Sequence, residues 1–352
     1  MGAAKTPVLW TTGAPGTGKS TTAWGLYTRL TQAGGSVAYV DIDQLGLIGP
    51  PPGGGDAAHA IKAANLLRVL EVLRGTAQVV VSGVVDPAKP YIEGPDFDLT
   101  LVRLTCDRDE LRSRFLGRGS PAAALPDLFA VADVYDRAGF GEAMDTTGQR
   151  PEQTVEALFR RCTLDAGTVR TPDAGQSQPG PVTVVTGPMA VGKSTAAFSA
   201  LRDLWERGIP VAYVDLAQLG FAHPGPDPAL EAALLSAVWR GYRDAGAKRL
   251  IVVAREFRPE HRRVFDDVTV VHLDADDGTL TERVRRRADG ESALLAGDEL
   301  RGAPPGVRDR VAARAVAEAA RMRRSGGDRV VLDTSGQEPA ETAAALLAVV
   351  AQ

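Results

Sequence analysis

Short apolar runs alternate along the chain with longer stretches whose apolar residues recur at helical spacing. The short runs are rich in Val and contain few polar residues, which is typical of strands buried on both faces of a parallel sheet. This order predicts an α/β fold with helices on both faces of the sheet. The predicted strands are residues 7–12, 37–41, 78–83, 98–104 and 141–146, then 181–186, 210–215, 249–254, 267–273 and 328–333.

Stretches with helical spacing follow most of these strands. The predicted helices are residues 19–33, 57–75, 107–118 and 151–162, then 193–207, 227–246, 277–288, 305–325 and 338–350. Residues 167–180 are rich in Gly, Pro, Ser and Thr, as linkers are. Because 352 residues suffice for two domains with separate cores, we expect domains at 1–166 and 181–352. Each should contain a parallel five-stranded sheet between helices.

The second predicted domain repeats the first. Lys19 and Lys193 are 174 residues apart (193 − 19), and the run VAYVD occurs at 37–41 and again at 211–215. The run DTTGQ at 145–149 reappears as DTSGQ at 333–337. Ordered self-similarity of this kind is the signature of an internal repeat. The sequence therefore predicts a tandem duplication.

Each half carries one complete G-x-x-x-x-G-K-S phosphate-loop (P-loop) motif between a predicted strand and a predicted helix. The first motif and its next residue are Gly13, Ala14, Pro15, Gly16, Thr17, Gly18, Lys19, Ser20 and Thr21. The second set is Gly187, Pro188, Met189, Ala190, Val191, Gly192, Lys193, Ser194 and Thr195. In such motifs the loop N–H groups face phosphates, the lysine reaches the β- and γ-phosphates, and the serine hydroxyl binds Mg²⁺. We therefore expect both loops to bind ATP with Mg²⁺.

Two carboxylates follow the second strand of the first half. Asp41 and Asp43 lie at the carboxyl edge of the sheet, where open α/β folds bind ligands. At strand spacing both would point to one side. We assign Asp41, and Asp215 in the repeat, to Mg²⁺, and Asp43 to accepting a proton from a substrate hydroxyl. A solvated strand end is the alternative interpretation.

Further positions near these carboxylates bear on the class of protein. The third strand ends in Ser82 and Gly83 without an acidic residue, which disfavours a motor or transporter ATPase. Lys62 and Asn65 share a helix face and could hold an acceptor over Asp43, or they are ordinary surface positions. The Pro/Gly run at 49–55 is expected to form a loop over the site.

Composition narrows the possible partners. The chain is 44% hydrophobic and 24% charged, with a net charge of −4, a balance that does not indicate binding to nucleic acid or a membrane surface. No signal peptide or membrane-spanning run is evident, and the two cysteines lie in no metal-binding spacing. Together these features indicate a cytoplasmic protein. Guanine specificity is not expected, since no N-K-x-D run is present.

The phosphate loop, the Asp-x-Asp pair and the run L-x-x-R-x-x-x-R ending at Arg118 resemble the small-molecule kinase branch of P-loop proteins. That branch includes adenylylsulfate kinase, shikimate kinase, gluconate kinase, chloramphenicol phosphotransferase and the zeta toxins. The resemblance covers each half and implies two tandem kinase-like domains. It also implies that Arg114 and Arg118 neutralise charge on the transferred phosphoryl group. Both could instead be solvated helix positions.

The two halves are not equivalent at the predicted acceptor site. The second half keeps Lys193, Ser194 and Asp215 but has Ala217 where the first has Asp43. We align its residues 254–256 with 82–84, which introduces Arg255 and Glu256. Because alanine cannot accept a proton, we expect the first half to be an ATP-dependent phosphotransferase for a small hydroxyl acceptor. The second half would bind nucleotide without the same catalysis, or use Glu256 on another acceptor.

Two other functions fit the motifs. The chain could be a nucleotide-binding regulatory ATPase, or sensor, with two phosphate-loop sites. It could also be a toxin-like kinase that acts on nucleotide sugars. The first differs from a phosphotransferase in having no need of Asp43, and the second predicts growth inhibition on expression.

Overall fold

The computed structural model describes residues 5–50, 55–89, 96–162, 164, 174–225, 227–290, 297–298 and 300–351. They form two compact units. The first unit comprises Met1–Gly46, Ala58–Pro172 and Gly220–Leu230, and the second comprises Leu47–Ala57, Asp173–Leu219 and Glu231–Gln352. Residues 167–173 of the predicted linker lie outside the described residues, and its last three residues already belong to a strand.

The strands follow the predicted order closely. They are β1 (Thr6–Thr12), β2 (Val37–Asp41), β3 (Ile48–Gly49), β4 (Gln78–Ser82), β5 (Phe97–Thr105), β6 (Glu142–Asp145), β7 (Gln178–Thr186), β8 (Val211–Asp215), β9 (Ala222–His223), β10 (Arg249–Val253), β11 (Phe265–Asp274) and β12 (Val330–Asp333). In both units the central strands are buried almost throughout, as their runs of Val predict.

The helices cover the sheets. They are α1 (Lys19–Gln32), α2 (Gly55–Val72), α3 (Arg108–Gly117), α4 (Leu125–Ala138), α5 (Pro151–Phe159), α6 (Lys193–Glu206), α7 (Leu216–Leu219), α8 (Pro228–Asp244), α9 (Pro259–Arg262), α10 (Asp277–Ala288), α11 (Pro305–Ser325) and α12 (Pro339–Val350). Asp107 and Asp276 cap the equivalent helices α3 and α10 by accepting the N–H groups of Glu110 and Thr279. Within the described ranges, no helix is both long and apolar enough to cross a membrane.

Both sheets have the same architecture. The first sheet runs β6-β5-β1-β4-β2-β9 and the second runs β12-β11-β7-β10-β8-β3. Five strands of each sheet are parallel, which confirms the predicted α/β fold. Each sheet also has a sixth, antiparallel strand of two residues, so the expectation of five strands was incomplete.

The sixth strand of the first unit comes from the second half of the sequence. In β9, Ala222 and His223 pair with Ala38 and Val37 of β2. The preceding residue, Phe221, accepts a hydrogen bond from the Tyr39 N–H at 2.9 Å. Its ring lies 4.7 Å from that of Trp24, 5.8 Å from that of Tyr39 and 6.2 Å from that of Tyr27. An aromatic cluster therefore secures this edge of the sheet.

The second unit receives the corresponding segment of the first half. In β3, Ile48 and Gly49 pair with Ala212 and Val211 of β8. The backbone oxygen of the preceding Leu47 accepts a hydrogen bond from the Tyr213 N–H at 2.8 Å, and the Leu47 N–H donates to the Tyr242 hydroxyl oxygen at 3.1 Å. The predicted loop at 49–55 therefore begins as a strand and ends in α2, and residues 51–54 lie outside the described residues.

Candidate functional site

The first loop, residues 13–20, joins β1 to α1 in a conformation that requires glycine. Gly13, Gly16 and Gly18 have φ angles of 138°, 93° and 95°. A Cβ at Gly13 would also clash with the backbone oxygen of Leu104 on β5. Ser20 and Thr21 are exposed at the start of α1. The loop thus has the backbone form of an anion cradle, with its N–H groups next to a helix N-terminus.

Lys19 lies in the first loop, and its Nζ donates to the backbone oxygen of Ala14 at 3.0 Å. Burial lowers the pKa of its ammonium to about 8. Among the charges that act on it, Asp43 has the largest effect, followed by Arg118 and Asp41. The two aspartates raise the pKa and the arginine lowers it. The structure therefore brings the predicted lysine, both predicted acids and one predicted arginine into one electrostatic cluster.

The secondary structure that carries Asp41 and Asp43 differs from the prediction. The strand ends at Asp41, and Ile42–Leu45 form a 3-10 turn, so the expectation that strand spacing points both carboxylates to one side was wrong in its premise, because Asp43 is not on the strand. The Asp43 N–H donates to Asp41 Oδ1 at 3.0 Å and fixes the turn. Burial, and then the charge of Asp43, raises the pKa of Asp41 to about 6.

Lys62 on α2 orients Asp43. Its Nζ lies 2.6 Å from Asp43 Oδ1. The aliphatic part of Lys62 runs so close to Gly46 that any Cβ there would collide with it. Asp43 Oδ2 lies on the side of Gly83, where an added Cβ would stand 3.6 Å away.

Asn65 does not occupy the position expected of an acceptor contact. Its side chain is 0% exposed, and its amide nitrogen donates to the backbone oxygen of Leu45 at 2.8 Å. It therefore supports the turn that carries Asp43. The prediction that Asn65 contacts a substrate is corrected accordingly, because a fully buried side chain is out of reach of a ligand.

Arg114 on α3 contacts the loop that follows β6. It donates to Thr146 Oγ1 at 2.9 Å and to Thr146 O at 2.8 Å, and it pairs with Glu110. Glu110 in turn accepts the Gly148 N–H at 2.6 Å. Arg114 therefore holds the loop at 145–148, and its predicted role at a phosphoryl group stays a prediction.

Arg118 lies at the end of α3. Its Nε donates to Ser120 Oγ at 3.1 Å, and its guanidinium carbon stands 4.9 Å from the centre of the Phe115 ring. Its charge lowers the pKa of Lys19, as described above. Of the two predicted arginines, Arg118 is therefore the one coupled to the first loop.

The second loop, residues 187–194, repeats the geometry of the first. Gly187 and Gly192 have φ angles of 145° and 99°, and Ala190 adopts a φ of 63° without being glycine. Lys193 Nζ donates to the backbone oxygens of Gly187 and Pro188 at 2.9 and 2.8 Å. Burial lowers its pKa to about 8, as it does for Lys19.

A carboxylate that the sequence did not reveal lies at the second loop. Glu318 on α11 is 7% exposed and accepts the Met189 N–H at 2.9 Å. Its other oxygen pairs with Arg255 Nε. Glu318 is distant in sequence from every motif, so only the packing of α11 could identify it. Glu256, the predicted substitute acid, instead pairs with Arg258 and Arg321.

The sheet registers refine the comparison between halves. Asp41 pairs with Ser82 and Asp215 pairs with Val253. Gly83 therefore corresponds to Ala254, and our alignment of residues 82–84 with 254–256 was displaced by one position.

Oxygen donors suited to Mg²⁺ are present at both loops. Ser194 Oγ donates to Asp215 Oδ2 at 3.2 Å, which places the two predicted ligands of the second loop side by side. Burial raises the pKa of Asp215. Mg²⁺ binds in proteins through one or two such oxygens together with waters and substrate phosphates. Ser194 and Asp215 fit that pattern.

Comparison with known proteins gives only distant matches. No protein-family model and no curated protein matches the chain. Among solved structures, an unliganded sugar kinase from Janibacter sp. HTCC2649 is 17% identical, with a TM-score of 0.31 over 48% of this chain and 94% of its own. The tunicamycin resistance protein of Deinococcus radiodurans is 22% identical, with a TM-score of 0.32 over 49% of this chain and 95% of its own. These likenesses are too weak to carry an argument about activity.

Proposed function

We propose that the first unit transfers the γ-phosphoryl group of ATP to a hydroxyl group of a small molecule. The observation that carries this proposal is the position of Asp43, which Asp41 and Lys62 hold at the carboxyl end of β2 and whose charge raises the pKa of Lys19. A carboxylate beside the loop lysine stands where a hydroxyl could approach the terminal phosphate. The Lys62 ammonium, 2.6 Å from Asp43 Oδ1, keeps that carboxylate oriented.

In the proposed reaction, Asp43 accepts the proton of the acceptor hydroxyl through Oδ2. A bond forms between the hydroxyl oxygen and the γ-phosphorus as the bond from that phosphorus to the bridging oxygen of ADP breaks. Lys19 and Arg118 supply positive charge to the phosphoryl oxygens. Asp41 and Ser20 would hold Mg²⁺, which when bound neutralises charge on the phosphates. We assign Arg114 to positioning, because its hydrogen bonds to Thr146 hold the loop at 145–148.

The second loop is proposed to bind nucleotide without this chemistry. It retains Lys193, Ser194 and Asp215, but Ala217 replaces the proposed base. Without a proton acceptor at that position, an acceptor hydroxyl would not be activated in the same way.

The substitution Asp43→Asn tests the proposed base. It preserves size and hydrogen bonding but removes basicity, so phosphoryl transfer should fall by about 10²–10⁴-fold while affinity for Mg²⁺·ATP changes little. Transfer is measured as ADP formation against a panel of hydroxylated metabolites, and affinity by titration calorimetry. Ala217→Ser serves as the matched control in the second unit and should leave turnover unchanged. Undiminished transfer by Asp43→Asn would refute the assignment, and binding with no acceptor-dependent turnover in the parent protein would favour a sensor.

A further inference from the structure

The second loop already binds an anion that belongs to the protein itself. The Glu318 carboxylate is buried, accepts the Met189 N–H at 2.9 Å and pairs with Arg255. It is also the strongest of the neighbouring charges that act on Lys193. A backbone N–H, an arginine and the loop lysine are the partners that a phosphate oxygen would have in such a loop.

The position of this contact within the loop indicates which phosphate it resembles. Met189 is the third residue of the motif, on the side away from the helix, whereas Lys193 and Ser194 begin α6. In this motif the loop N–H groups cradle the inner phosphates and the lysine extends to the outer ones. Lys193 Nζ lies against the backbone oxygens of Gly187 and Pro188, the two residues that precede Met189. The Met189 N–H is therefore at the end of the loop where the lysine meets the outer phosphates, and a carboxylate that accepts this N–H stands at the outer end of the cradle.

We propose that Glu318 takes the place of the terminal phosphate in the second loop, so that this loop binds nucleoside diphosphates in preference to triphosphates. The inference rests on the proposal that the second loop binds nucleotide. A triphosphate would bring its terminal phosphate against a buried carboxylate, and two like charges in a desolvated site repel strongly. A diphosphate leaves the Glu318–Arg255 pair in place.

The first loop offers a natural contrast. Pro15 occupies the position that corresponds to Met189, and proline has no N–H to donate. The contact that holds Glu318 at the second loop therefore has no equivalent at the first. The two loops of one chain are thus built to prefer different phosphate chains, with the triphosphate at the first loop and the diphosphate at the second.

The test uses the full chain with Lys19→Ala, so that titration calorimetry reports the second loop. We expect Mg²⁺·ADP to bind about tenfold or more tightly than Mg²⁺·ATP. Adding Glu318→Gln should remove this preference, because glutamine keeps an acceptor for Met189 but carries no charge. Equal affinities for the two nucleotides in the Lys19→Ala protein would overturn the proposal. This comparison is made with Glu318 unchanged, so it does not depend on whether the Glu318→Gln variant folds.

A matched pair of proteins provides the control. In the Lys193→Ala protein, which reports the first loop, Glu318→Gln should leave the ATP affinity unchanged. A change there as large as in the Lys19→Ala protein would contradict the local role of Glu318. If the Lys19→Ala protein binds neither nucleotide, both the diphosphate preference and nucleotide binding by the second loop fail. The phosphotransfer proposed for the first unit is tested separately, by turnover of the Lys193→Ala protein.

Discussion

At the first loop, two residues carry charge in places that disfavour it. Burial lowers the pKa of Lys19 to about 8 and raises that of Asp41 to about 6, because it disfavours the charged form of each side chain. A bound anion beside Lys19 and a bound cation beside Asp41 would both reverse that effect. Ionisable groups whose pKa values are shifted by burial in this way are characteristic of ligand sites.

The pKa of Asp41 predicts a pH dependence. Mg²⁺ binds an ionised carboxylate, so the affinity of the first loop for Mg²⁺·ATP should rise between pH 5 and 7 with a midpoint near 6. The measurement compares the Lys193→Ala protein with the same protein carrying Asp41→Asn, by calorimetry at constant ionic strength. Protonation of the nucleotide is common to both, so the difference between the two profiles isolates Asp41. Identical profiles would contradict the role assigned to this residue.

The same shift has a consequence for stability. Because the pKa of Asp41 is raised from 3.8 to about 6 on folding, its contribution to stability is full below pH 3.8 and is lost as the pH rises through 6. In the absence of ligand, Asp41→Asn should therefore raise the free energy of unfolding at pH 7 by about 1–2 kcal/mol. Such a gain in stability would accompany the loss of Mg²⁺-dependent binding.

At the scale of elements, the repeated parallel strands and the two glycine loops could be predicted because each is a local signal. The pattern of buried Val and the G-x-x-x-x-G-K-S spacing need no knowledge of tertiary contacts. The two-residue strands β3 and β9 could not be predicted, since they exist only through their pairing with β8 and β2. Helix α4 was missed although its buried residues Leu128, Ala132 and Tyr135 have helical spacing and Gly139 ends it in a left-handed conformation.

In the candidate site too, some residues could be predicted from the sequence and others could not. Lys19 and Asp41 follow from motif and strand order, whereas the turn that carries Asp43 depends on the buried amide of Asn65. Glu318 reaches the second loop only through the packing of α11. Contacts between residues far apart in sequence leave no periodic signal, so the sequence pattern could not predict these features.

The edge strand of the first unit leads to a prediction about stability. Phe221→Ala removes the ring that packs against Trp24, Tyr27 and Tyr39, and should lower the free energy of unfolding by about 2–4 kcal/mol. Hydrogen exchange should speed up in β2 at residues 37–41, of which Val37 and Ala38 pair with β9, and remain unchanged at 211–215. Phe198→Ala, at a ring that is 40% exposed, is the control and should have a smaller effect. Unaltered exchange at 37–41 in Phe221→Ala would show that the aromatic cluster does not hold this edge.

At the scale of the whole molecule, two units share one strand order but differ at their glycine loops. The charge of Asp43, which pairs with Lys62, acts on the lysine of the first loop, and the charges of the paired Glu318 and Arg255 act on the lysine of the second. Each unit also contains a segment from the opposite half of the sequence. Neither half of the sequence therefore supplies a complete sheet by itself, although each supplies a complete loop.

The measurement that tests the central claim most directly is ATP turnover by the single variants Lys19→Ala and Lys193→Ala, with the acceptor and Mg²⁺ at saturation. Lys19→Ala should lower turnover by about 10²–10³-fold, because the charge of the Lys19 side chain acts on the transferred phosphoryl group. Lys193→Ala should leave most of the turnover in place. The opposite result, with turnover lost in Lys193→Ala and kept in Lys19→Ala, would contradict the assignment of catalysis to the first unit.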